Sequence, residues 1–184
     1  MSTTGPSTAN KKATILLVSG ELDKAIAAFD IGAGMAAMGM EVRMWFLLFG
    51  TNPLRKPVAR LSPRRWLNFA PLPDGPGRTP ETDTVLQRAL IALNGTGPRQ
   101  LPLSQLNFLG LGPALLRRIL DRKRVAQLDT LIESCAALDV PFLICQTCVD
   151  SMALSPQDFS VPVEMRGVST YTLQVAESHY NAVF

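Results

Sequence analysis

The chain has 184 residues, 47% of them hydrophobic and 18% charged, with a formal net charge of +3. That length holds one domain with a real core, and so apolar a composition excludes a disordered chain. Three cysteines are too few for a disulfide-stapled scaffold, and the single histidine, His179, leaves no His-rich metal site.

The pI of about 9.0 comes largely from two basic clusters: Arg55, Lys56, Arg60, Arg64 and Arg65, then Arg117, Arg118, Arg122, Lys123 and Arg124. Neither has the interleaved aromatics of a single-strand binder or sits in a DNA-binding motif, so no nucleic-acid partner is expected. They read as solvated faces. Docking to an acidic protein or an anionic membrane surface is the alternative, with the membrane contact not favoured.

Met1 to Asn10 is rich in Ser and Thr, lacks an apolar core, and reads as a flexible leader rather than a secretory signal. The apolar stretch Ala25 to Gly50 is broken by Asp30, Glu41 and Arg43, and the charge-free run Gln100 to Leu116 contains Pro102 and Pro113. Neither resembles a membrane span, and a cytoplasmic location is expected.

Ala13 to Val18 is a short apolar run suited to a strand covered on both faces. Glu21 to Met40 reads as a helix with Leu22, Ile26, Phe29 and Ala33 recurring on one side. Its Gly32 and Gly34 predict close approach of a neighbouring backbone. Glu41 to Phe49 is the second strand, ended by Gly50-Thr51-Asn52-Pro53, and the opening unit is a right-handed β-α-β. Leu54 to Pro80 carries six prolines and reads as a surface excursion, with room for a short helix near Leu54 to Leu61.

Glu81 to Leu93 predicts a further helix. Pro113 to Lys123 follows as a basic amphipathic helix with Leu115, Leu116, Ile119 and Leu120 on its apolar side. Val125 to Leu138 places Leu128, Leu131, Ile132, Cys135 and Leu138 at core spacing. Val140 to Cys145, Val161 to Met165 and Tyr180 to Phe184 are strand candidates, the last two bracketing a helix over Val168 to Ser178. Five strands with helices between them predict a three-layer α/β/α domain, flavodoxin- or Rossmann-like, with a mostly parallel five-stranded sheet. It spans 11–184 as a single unit, with the proline-rich insertion around 54–80.

Ligands of open α/β sheets bind beyond the carboxyl ends of the strands. Three loops lie there: Ser19-Gly20-Glu21, Gly50 to Pro53, and Cys145-Gln146-Thr147-Cys148. Ser19, Gly20, Gly50, Asn52, Gln146 and Thr147 are therefore the expected pocket lining. Cys145, where the third strand leaves the sheet, is expected to be partly exposed, with amides of the following turn supporting its thiolate. Cys148 stands at the spacing of a redox pair, yet buried cysteine is also an ordinary small hydrophobe. The carboxylate of Asp150 works against a thiolate.

No G-x-G-x-x-G follows the first strand and no P-loop is present, so nucleotide binding has no support. His179 belongs to no nucleophile elbow, and two cysteines with one histidine fall short of a zinc site. No metal and no cofactor are expected.

Val18-Ser19-Gly20-Glu21-Leu22-Asp23-Lys24-Ala25 resembles the start of the DsrE/DsrF-like sulfur-relay proteins, in particular the larger branch labelled "peroxiredoxin family protein". Ala36 to Val42, Phe49 to Asn52, Phe108 to Pro113, Ile144-Cys145-Gln146, Asp150-Ser151-Met152 and Gly167 to Tyr171 continue the resemblance in order. It implies a flavodoxin- or Rossmann-like homo-oligomer that carries sulfane sulfur as a persulfide or thiosulfonate. Cys145 matches the proposed carrier position. The implied partners are rhodanese-like and TusA-like proteins, with thiosulfate or polysulfide as small sulfur compounds.

The label does not imply peroxidase activity, since no thioredoxin-like arrangement is visible. Relatives usually carry Met or Ser around the position of Cys148, so a second thiol there departs from the pattern, as does Pro71 to Pro80. Cys148 has two readings: core packing, which is favoured, or resolution of a Cys145 persulfide to a disulfide. A non-catalytic oligomeric binding protein with inert cysteines is the alternative to the carrier.

Overall fold

A computed structural model describes residues 11–57, 95–152 and 154–184. The expected leader, the helix at Glu81 to Leu93 and the proline-rich stretch beyond Pro57 lie outside the described residues. Strand β1 is Lys12–Leu17, helix α1 Leu22–Ala37 and strand β2 Glu41–Phe46. A 3-10 segment, Leu48–Leu54, follows β2. After the undescribed stretch come α2, Leu111–Lys123, α3, Leu128–Ala137, and β3, Phe142–Cys145. The remaining elements are α4, Gln146–Ser151, β4, Glu164–Arg166, α5, Val168–Glu177, and β5, Tyr180–Val183.

The five strands form one sheet in the order β4-β3-β2-β1-β5, and every pairing is parallel. Parallel ladders need both faces covered, and the central strands read accordingly: Ala13 to Leu17 and Phe142 to Cys145 are buried without alternation. One face packs Ile15, Leu17, Met44, Phe46, Phe142 and Ile144 against α1 and α3. There the ring of Phe29 stacks on Phe46 at 5.7 Å and meets Phe142 edge-on at 5.9 Å.

The opposite face carries Leu16, Trp45 and Leu143, which share one register row across three strands. The α5 helix covers this row. Tyr171 meets Trp45 edge-on at 5.3 Å, and Trp45 Nε1 donates to Gln174 Oε1 at 2.8 Å. The chain steps from β1 to β4 in one direction and then crosses back through α5 to place β5 beside β1. Right-handed crossovers in opposite directions put their helices on opposite faces, which gives the three layers.

Several boundaries differ from the expectation. β2 stops at Phe46 rather than Phe49, because Leu48 takes φ of +47° and the chain winds into the 3-10 segment. β3 begins only at Phe142, after Pro141, which has no N–H for the ladder. Leu138, expected in the core, is exposed at the end of α3, and Leu115 and Ile119 are exposed on α2. Gly32 admits the sulfur of Met44, 3.1 Å from where its Cβ would stand, rather than a neighbouring backbone; a Cβ at Gly34 would meet nothing. Arg55, expected on a solvated face, is only 5% exposed, beside the bridge it forms with Phe159.

Candidate functional site

Cys145 is the last residue of β3 and the N-cap of α4, a short helix where the sequence predicts a turn. Cys148 falls at the third position of α4, so the helix turn brings it back over the strand end. That places it one helical turn from Cys145. Both are free and buried, with Cys145 4% and Cys148 3% exposed. This corrects the expectation that Cys145 is partly exposed: β3 is an interior strand, and its end is roofed by the neighbouring loop.

The expected amide support also falls elsewhere. The side chain of Cys145 makes no capping hydrogen bond at the start of α4. Instead, Leu48 N–H, from the loop after β2, donates to Cys148 Sγ at 3.1 Å. Burial pushes the Cys148 thiol up, the Leu48 amide pulls it down, and the neighbouring Cys145 pushes it up further. The net direction is upward, towards the neutral thiol.

The left-handed backbone of Leu48 is a strained arrangement for a leucine. Two bonds hold it: the amide on Cys148, and Thr51 Oγ1 donating to Leu48 O at 2.7 Å. Behind them, Gly50 N–H donates to Val18 O at 2.8 Å. A Cβ on Gly50 would lie 2.0 Å from Leu17 O, so only glycine lets this loop pack so close to the end of β1. Leu48 and Thr51 escaped sequence reasoning. A backbone amide has no residue signature, and the only hint was Gly-Thr directly after a strand.

The structure brings Gly20, Gly50 and Asn52 together: a Cβ on Gly20 would stand 2.9 Å from Asn52 Nδ2 and from Phe49 O. Asn52 is buried, and its carbonyl accepts from Gly97 N–H at 2.9 Å. Ser19 turns to its own loop, donating to Glu21 Oε2 at 2.7 Å. Gln146 and Thr147 are exposed on the outer side of α4, where Gln146 Nε2 donates to Asp150 Oδ1 at 2.9 Å. Gly20, Gly50 and Asn52 thus form a packed seam at the strand ends, with Gln146 and Thr147 outside it. A cleft of about 340 Å³ lies apart, lined by Leu22, Arg99, Arg117, Asp121 and Asp129 among others, and includes no expected site residue.

Cys135 stands outside the site. It is fully buried under α1, its Sγ donates to Phe29 O at 3.6 Å, and burial pushes its thiol up to about 11. His179 has its Nδ1 accepting from Lys12 N–H at 3.2 Å, a structural bond at the edge of the sheet.

An all-parallel α/β domain with a cysteine pair at the carboxyl end of an interior strand is the class of protein these elements define. The DsrE/DsrF/DrsH-like family matches residues 9–73 and 75–183, and the chain belongs to that family. It is 28% identical over 171 residues to the uncharacterized protein YrkE of Bacillus subtilis, covering 93% of this chain and 95% of that protein. It is 27% identical over 169 residues to the sulfur carrier protein DsrE2 of Allochromatium vinosum, covering 91% and 94% respectively. A crystal structure of the ychN protein from E. coli aligns with a TM-score of 0.48 and 13% identity, over 95% of this chain and 99% of that one. Membership places the chain in a sulfur-relay family. Among the described residues no helix is long and apolar enough to cross a membrane.

Proposed function

We propose that the protein is a sulfur carrier of the sulfurtransferase type, holding sulfane sulfur on Cys145 as a persulfide or thiosulfonate. A partner thiol then takes the sulfur, in sulfur trafficking or oxidation. The observation that carries this reading is the position of Cys145, at the end of β3 and the start of α4, in a chain of this family. The likeness to a protein named as a sulfur carrier supports it. Transfer needs a thiolate and an electrophilic sulfur held in line, so positioning is the protein's main contribution.

TusA-like or rhodanese-like proteins are the proposed partners, thiosulfate or polysulfide the proposed small sulfur compounds, and the cytoplasm the proposed location. A homo-oligomer is part of the proposal. Leu111, Leu115 and Ile119 form an exposed apolar row on α2, and Leu106 and Phe108 precede it, an arrangement that association would cover.

The burial of both thiols favours a second reading, a non-catalytic oligomeric binding protein with inert cysteines. Maleimide labelling of one sample of the native protein, and incubation of a separate unlabelled sample with polysulfide and then a small acceptor thiol, separate the two. The carrier labels at Cys145 and passes sulfur to the acceptor. An inert fold labels only after denaturation and transfers nothing.

A further inference from the structure

The sequence alone points to packing for Cys148, with Cys145 working alone. The structure gives Cys148 burial, a place one helical turn after Cys145, and a backbone N–H on its sulfur. A thiol that served only to fill space would not need an amide donor from a strained loop. We infer that Cys148 is a resolving thiol, which converts a persulfide on Cys145 into a Cys145–Cys148 disulfide with release of sulfide. This rests on the carrier reading above and gives the same site a second outcome besides transfer.

The step balances without an added oxidant. Cys148, a neutral thiol at rest, loses its proton in the step and attacks Cys145 Sγ as the thiolate. A new S–S bond forms between the two cysteines, and the bond from Cys145 to the terminal sulfur breaks. The electron pair leaves on that sulfur, which takes up the proton Cys148 gave and departs as hydrogen sulfide. The sulfane sulfur is thereby reduced to sulfide, and the two cysteine sulfurs are oxidised to a disulfide. An external dithiol resets the pair.

The geometry suits this. An N-cap residue and the third residue of a helix have Cα atoms about 5–6 Å apart, inside the range a disulfide spans. The N–H of Leu48 points at Cys148 Sγ, so negative charge on the attacking sulfur has a donor in place before the reaction. Both thiols are buried together at the strand end, so Cys148 is the thiol nearest a persulfide on Cys145. Asp150, the nearest carboxylate in sequence, takes a hydrogen bond from Gln146 on the exposed side of α4.

The test uses the full chain, kept without oxygen, treated with polysulfide and desalted at once. Intact mass, released sulfide and a peptide map are then followed in wild type, Cys148→Ser and Cys148→Ala. Both variants are expected to gain about 32 Da per sulfur and hold it. Wild type is expected to lose that mass, settle about 2 Da below the dithiol, and release one sulfide per disulfide. Its persulfide lifetime should be at least about tenfold shorter than in the variants, from the proximity of the two sulfurs. The wild-type disulfide is read by peptide mapping, which does not depend on either variant folding. Loaded variants and a wild type with equal persulfide lifetimes and no Cys145–Cys148 disulfide would overturn the resolving role and leave the carrier intact. Failure of wild type and both variants to load or to form the disulfide would overturn the carrier and the resolving role together.

Discussion

Gly50→Ala probes the contact on which the site is built. The added Cβ would lie 2.0 Å from Leu17 O and 2.6 Å from Leu17 C, both main-chain atoms of β1. β1 is paired on both sides, to β2 and β5, so it cannot yield. The loop must instead move out by roughly 1 Å or more to restore ordinary contact distances. That shift breaks the bonds from Gly50 N–H to Val18 O and from Leu47 N–H to Leu17 O, now 2.8 and 3.0 Å. Two buried backbone bonds at about 1 kcal/mol each, with strain of about 1–2 kcal/mol, give a loss of about 3–4 kcal/mol. For a chain of this size the melting temperature should fall by about 6–16 °C. Urea unfolding measures the loss directly, and Gly34→Ala is the matched control. A Cβ at Gly34 meets nothing within 4 Å, so removing a helix-interior glycine there should stabilise by about 0.5–1 kcal/mol. A Gly50→Ala protein within about 1 kcal/mol of wild type would refute the close packing described between the first two strand-end loops.

Asp23 accepts from Ser104 N–H at 2.9 Å and from Ser104 Oγ at 2.5 Å, tying the segment before α2 to the start of α1. Burial alone would raise its carboxyl, but the Ser104 hydroxyl and amide outweigh burial and lower it. The stability this adds is present above the ordinary value of 3.8 and is lost as pH falls through the lower folded value. Asp23→Asn should cost about 0.5–1 kcal/mol near neutrality, after solvent screening, and flatten the acid limb of a stability–pH curve. Cys135 behaves in the opposite sense. Its thiol is raised from 9.0 to about 11, so its contribution is complete below pH 9.0 and is lost as pH rises towards 11. Cys135→Ala should flatten that alkaline limb, whose size is at most about 2–3 kcal/mol. Light scattering at micromolar concentration should report an oligomer, and Leu111→Glu with Leu115→Glu should lower its mass.

The sheet was legible because parallel strands announce themselves as unbroken apolar runs, and Ala13 to Leu17 and Phe142 to Cys145 are such runs. The end of β2 was not. Leu47, Leu48 and Phe49 extend the apolar run, while the chain there obeys Gly50, which must fit against Leu17, and the left-handed Leu48. Apolar character put Leu115 and Ile119 on the apolar side of a helix and Leu138 at core spacing, yet all three face outward, because hydrophobicity states that a residue wants cover and not what provides it. The cysteine pair was found by its place after a strand. Its burial and its amide donor were not, because both come from the loop after β2, about a hundred residues away along the chain. The sequence also offered no sign that Ser19 would bond to Glu21 rather than face a ligand.

The central claim is that Cys145 carries the sulfur, and fragmentation mass spectrometry of the loaded chain tests it most directly. Folded Cys148→Ser protein is incubated with polysulfide, capped and fragmented across Cys145 to Ser151. The account predicts the added sulfur on Cys145, absent after reduction, with none on Cys135, and no loading in Cys145→Ser. Loading of folded Cys145→Ser equal to that of Cys148→Ser would contradict it.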